Sequence, residues 1–167
     1  MNLALFDIAL ATTTLLCALV AGLLFGFAVL VMPGLAKLPD RDFLQAFKLI
    51  DEEIQNGQPF FLFVWVGSVL STLLLLVLGT IQISGFEKYL MWFGCGLYLV
   101  AVQGPTIRIN IPLNNAVQAL KISSLSDSDL AEARAQFEIP WNRSNRFRTS
   151  VAIVSVLILL TLNSLLR

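Results

Sequence analysis

The stretch IALATTTLLCALVAGLLFGFAVLVMPGLA, from Ile8 to Ala36, contains no charged side chain. A helix needs about 20 predominantly apolar residues to cross a bilayer, so this segment is long enough to span one. Its leading residues, MNLALFDI, carry no Lys or Arg, and the apolar run outlasts the roughly 7–15 residues of a signal-peptide core. It therefore reads as a retained helix. Three further stretches follow the same rule: Ile54 to Phe86, densest from Phe60 to Ile81, then Tyr89 to Ile107, and Thr149 to Leu166. The expected spans are 8–36, 59–82, 89–107 and 149–166. The fold expected is all-α: one domain over 1–167, a four-helix transmembrane bundle with short amphipathic helices in its two long loops.

Composition agrees. The chain of 167 residues is 57% hydrophobic and 13% charged, against about 25% charged in an ordinary soluble domain. A disordered chain is excluded, since disorder needs low hydrophobicity. Eleven Lys and Arg balance eleven Asp and Glu, so no net field attracts nucleic acid. Histidine is absent, which removes His-ligated haem or zinc and His-driven triads. Cys17 and Cys95 are far apart, without the C-x-x-C spacing of a redox or thiolate-metal pair. No metal and no cofactor are expected.

Four crossings place both termini and the Glu87–Lys88 turn on one side, and the two long loops on the other. Lys88 and Arg167 lie on the first side; Lys37, Arg41, Lys48, Arg108, Lys121, Arg134, Arg143, Arg146 and Arg148 lie on the second. The positive-inside rule then puts the long loops in the cytoplasm. In the first loop Asp40 can cap a helix, Phe43, Phe47, Ile50 and Ile54 form one apolar face, and Gly57 can close the end. Arg41, Lys48, Asp51 and Glu52 fall on the other faces. Such a helix suits the membrane surface or the end of the bundle. The second loop divides at its prolines. Pro112 opens a helix through Leu113, Val117 and Leu120. Ser126 to Asp129 begins another, with Arg134 four residues ahead of Glu138, and Pro140 ends it. Within the first span, Ala18, Gly22 and Gly26 make a small-residue face, for packing inside the chain or for a homo-oligomer.

The polar residues cluster. In QGPTIRINIPLNN, Gln103, Thr106, Asn110 and Asn114 recur at i, i+3, i+7 and i+11, within about a quarter of a helix circumference. Pro105 and Pro112 perturb that helix, so a broken or re-entrant end is open. Arg108 stands on another face. Trp141, Asn145 and Arg148 recur at i, i+4 and i+7, with Arg146 beside them. Both groups lie at the same membrane surface, where unpaired polar groups are costly. They form either a polar cap tying the loops together or a ligand pocket. Amides, hydroxyls, guanidinium and indole can hold an oxygen-rich aromatic or an enolate, but they include no strong base.

Three blocks carry a resemblance: GLLFGFAVLVMPGLAKLPD (Gly22 to Asp40), TIRINIPLNNAVQAL (Thr106 to Leu120) and WNRSNRFR (Trp141 to Arg148). They resemble the anthrone-oxygenase-like integral membrane family, long catalogued as a domain of unknown function. Asn110, Pro112, Leu113, Asn114, Trp141, Asn145 and Arg148 match its pattern. The resemblance implies oxidation of a phenolic or anthrone-like substrate by O2 without metal or flavin, the substrate anion itself supplying electrons. The expected location is a bacterial cell membrane, with the two long loops cytoplasmic. In that reading Arg148, Asn145 and Asn110 are catalytic, while Trp141, Asn114, Thr106, Arg146, Gln103 and Arg108 bind substrate. The alternative is a non-enzymatic membrane module that holds a lipid, quinone or partner subunit. Either way the expected partners are membrane lipids and a hydrophobic or lipid-like small molecule.

Overall fold

The computed structural model describes residues 3–166, which form helices and turns with no strand among them. In chain order these are α1 (3–35), α2 (Asp40–Gln55), α3 (Pro59–Gln82), α4 (Gly85–Ala119), one 3-10 turn (Ile122–Ser124) and α5 (Asp127–Leu165). Four of them, α1, α3, α4 and α5, are long and apolar enough to cross a membrane. The chain is thus a four-helix bundle in which α1 packs against α3 and α5, and α5 against α4. Phe60 and Val100 are 79% and 73% exposed on its outer faces, as helices solvated by lipid require. Arg167, counted above with the termini, lies outside the described residues.

Length explains the rest of the shape. At 1.5 Å per residue, the 35 residues of α4 and 39 of α5 reach about 52 and 58 Å, well beyond a hydrocarbon core of about 30 Å. The C-terminal part of α4 and the N-terminal part of α5 project together, and α2 packs across them. Phe43, Leu44 and Phe47 of α2 join Val117, Leu130, Phe137 and Trp141 in one buried cluster. The expected helix of the first loop therefore caps the bundle. Basic side chains fasten this cap to carbonyls that helix ends leave free. Arg41 donates to the carbonyls of Ile122 and Leu125, and Lys48 to those of Gln118 and Leu120. The Arg134 fork donates to the carbonyls of Leu38 and Ala36 and to the carboxylates of Asp40 and Glu138.

Several local expectations change. The third and fourth spans are parts of longer helices, and the second loop does not divide at its prolines. Pro105 and Pro112 lie inside α4, which is neither broken nor re-entrant. Pro140 lies inside α5 and does not end it. The π-helical turns Phe27–Val31, Leu97–Val102 and Thr106–Asn110 each precede a proline, Pro33, Pro105 and Pro112, by no more than three residues. A π turn adds a residue and reroutes the carbonyl that proline leaves unpaired, so the helix bends without stopping. At Pro140 the carbonyl left without a partner is that of Gln136, an exposed residue of the projecting cap. Asp40 is not the cap of α2: Pro39 holds that position and the Asp40 carboxylate binds Arg134. Gly57 does close the helix, at φ +79°, and Ser126 with Asp129 forms a capping box at the start of α5.

The small-residue face also departs from intrachain packing. Gly22 is exposed, and a Cβ placed on Gly22 or Gly26 would meet nothing within 4 Å. Close helix approach occurs elsewhere, where Gly79 of α3 abuts Met91 of α4 and Gly94 of α4 abuts Ile158 of α5.

Candidate functional site

Where the cap meets the spans, α4 and α5 run side by side with their polar faces together. Thr106, Asn110, Asn114 and Gln118 follow one another at four-residue intervals on α4, and Trp141, Ser144, Asn145 and Arg148 face them from α5. The deepest layer holds Arg148, only 3% exposed. Its Nη1 donates to Thr106 Oγ1 at 2.8 Å and its Nη2 to Asn145 Oδ1 at 2.9 Å. Asn145 Nδ2 in turn donates to the Leu24 carbonyl of α1 at 3.1 Å. One turn outward, Ser144 Oγ donates to Asn110 Oδ1 at 2.6 Å. Further out, Trp141 Nε1 donates to Asn114 Oδ1 at 2.8 Å, and Asn114 Nδ2 donates to Asp51 Oδ1 at 2.6 Å.

The electrostatics of this ladder are uneven. Arg148 makes no ion pair among the described residues, its two acceptors are neutral, and its buried Nε has no partner among them. A buried guanidinium held by a hydroxyl, an amide and the face of Trp141, 5.9 Å away, lacks the counter-charge that normally offsets its desolvation. Beside it lies a cavity of about 190 Å³. Thr106, Asn110, Asn114, Asn145, Arg148 and Asp51 supply its polar wall; Leu23, Phe27, Phe47, Phe61 and Trp65 are among its apolar lining. Such a site can hold a flat apolar molecule by its faces and an oxygen, neutral or anionic, at the guanidinium. Among the described residues no three His, Cys, Asp or Glu side chains come together as a metal site would need.

Six of the residues singled out in the sequence line this cavity: Arg148, Asn145, Asn110, Trp141, Asn114 and Thr106. Gln103 is buried about one turn deeper and is not part of the lining. Arg108 and Arg146 do not join the group. Each stands two residues from a lining residue, Thr106 and Arg148, hence about 200° around its helix, and each is exposed. Trp141 is a wall with little free face: its ring packs 5.7 Å from Phe27, 5.6 Å from Phe47 and 6.1 Å from Phe137.

Asp51 was missed. It is 2% exposed and lines the cavity, where the sequence reading placed it on an outer face of α2. The signal was its spacing: Phe43, Phe47 and Asp51 recur every four residues, so the carboxylate continues the buried stripe, while Ile50 is partly exposed. Three amides make its burial tolerable, those of Asn114, Gln118 and Gln55.

Neither a curated protein nor a solved structure matches the chain. The family described as anthrone oxygenase matches residues 54–158, from the end of α2 into the last third of α5, including every cavity residue that α4 and α5 supply. The chain is a multi-pass membrane protein that belongs to the anthrone oxygenase family.

Proposed function

We propose that the chain oxidises a flat phenolic or anthrone-like molecule with O2, and that its cavity binds the ionised form of that substrate. The carrying observation is Arg148, a buried guanidinium beside an apolar cavity with only neutral protein acceptors. An enolate or phenolate oxygen supplies the missing counter-charge. Thr106 and Asn145 hold the fork in place before the ligand arrives, so little reorganisation is needed as charge develops. Asn110 and Asn114 orient further oxygens, and Phe27, Phe61 and Trp65 contact the rings.

For an anthrone the net change converts a ring CH2 to C=O. One oxygen atom of O2 stays on carbon and the other leaves with the two hydrogens as water; carbon loses four electrons and O2 gains them. The side chains hold the anion while those electrons leave it. Removing one donor from an oxyanion site costs about 2.7–4 kcal/mol in a well-studied case.

The test is oxygen uptake and quinone formation from anthrone by chelator-treated protein in detergent. The expected result is turnover above the spontaneous rate. Arg148→Lys should lower it about 10- to 100-fold, because Lys keeps the charge and loses the planar fork. No turnover with anthrones, phenols or hydroquinones would sink the reading in favour of a binding module.

A further inference from the structure

We propose that Asp51 is the proton acceptor of this cavity, a catalytic carboxylate carried to the site by the cap helix α2. The inference rests on the reading of the cavity as a site where a substrate anion forms. Among the described residues Asp51 is the one acidic side chain in the lining, and it makes no ion pair. Lys48, one turn earlier on α2, donates to the carbonyls of Gln118 and Leu120 instead.

Its hydrogen bonds leave a defined opening. An ionised carboxylate has about four acceptor positions, two on each oxygen. Gln118 Nε2 at 2.9 Å and Gln55 Nε2 at 3.0 Å occupy Oδ2. Oδ1 receives one donor, Asn114 Nδ2 at 2.6 Å, and keeps one position. Asn114 itself lines the cavity, so this oxygen sits at the cavity's edge.

The placement also suits the charge movement. Asn114, which holds Asp51, lies about two turns of α4 beyond Thr106, which holds Arg148, so the carboxylate and the guanidinium line the cavity at different levels. In an anthrone the acidic CH2 and the carbonyl oxygen stand on opposite sides of the central ring. The C–H bond breaks, its proton passes to Asp51 Oδ1, and the electron pair moves through the ring to the oxygen facing Arg148. No electron leaves the substrate in this step, and the proton on Asp51 departs later with the water formed from O2.

Proton removal can be followed without oxidation. Protein in detergent is mixed with anthrone in D2O without oxygen, and deuterium uptake at the CH2 is measured by mass spectrometry. Binding is measured separately by tryptophan fluorescence with anthraquinone, which has no such proton to give. Wild type should accelerate exchange, and Asp51→Asn should lower that acceleration at least ~100-fold, the lower end of general-base effects, with anthraquinone affinity within about threefold. Asp51→Glu should recover part of the exchange. Wild-type protein that gives no exchange overturns the proposal. So does Asp51→Asn that exchanges normally, or that loses exchange and anthraquinone binding together, as a purely structural tie would. Exchange without oxygen uptake in air would overturn the oxygenase reading and leave Asp51 as the base; uptake retained in Asp51→Asn would do the reverse.

Discussion

Replacing Asn114 by Asp alters one atom at the joint between the cap and the bundle. In the native protein Asn114 Nδ2 donates to Asp51 Oδ1 at 2.6 Å; in the variant two carboxylates face each other there. Two like charges about 4 Å apart repel by about 4 kcal/mol at an effective dielectric of about 20. Protonating one of them at pH 7, from an ordinary carboxyl value near 3.9, also costs about 4 kcal/mol, which sets the ceiling. At about 2–4 °C per kcal/mol for a chain of this size, the apparent melting midpoint should fall by about 8–16 °C at pH 7. The folded pair retains a proton that the unfolded chain has released, so folding takes up protons and stability rises as pH falls. The difference from wild type should close at about 1.4 kcal/mol per pH unit between pH 7 and about 4. Lys48, the nearest cation on α2, is engaged by backbone carbonyls, and Arg148 lies at the other end of the cavity. Asn114→Leu is the control: it takes the donor from Asp51 Oδ1 and the acceptor from Trp141 Nε1 but adds no charge, so at pH 7 it should lack the charge-repulsion part of the deficit. The assay is a thermal melt in detergent across that pH range. An Asn114→Asp midpoint within about 2 °C of wild type at pH 7, the shift of about 0.5–1 kcal/mol, or a deficit independent of pH, would refute the contact between α2 and α4.

Trp141→Ala should cost about 3–5 kcal/mol, because a nearly buried indole leaves an aromatic cluster that cannot fully collapse; the same thermal melt reads it. Gly79→Ala should destabilise by about 1–3 kcal/mol, since the new methyl overlaps Met91, while Gly22→Ala should leave the midpoint unchanged or raise it. A cysteine at Ser126 should react with an impermeant reagent from the cytoplasmic face and one at Ser84 from the opposite face, following the basic loops. Both native cysteines are buried and should stay silent.

The apolar runs determined the four spans, because a helix in lipid must satisfy its backbone within itself and about 20 residues suffice to cross. That Thr106, Asn110, Asn114, Trp141, Asn145 and Arg148 gather in one place was legible for a related reason: polar residues at helical spacing beside a span need partners. Helix limits were less legible. Proline reads locally as a stop, yet π turns before Pro33, Pro105 and Pro112, and solvent access near Pro140, let the helices continue. Tertiary structure alone decided where α2 docks. The spacing of Phe43, Phe47 and Asp51 puts the carboxylate in line with the buried stripe, but only the tertiary structure supplies the amides of Asn114 and Gln118, 63 and 67 residues away, that let it stay there. It also decided that Arg108 and Arg146 point outward while Arg148 is buried. Sequence places a charge near a membrane surface; only the packing of one helix on another determines whether that charge meets lipid, water or a cavity.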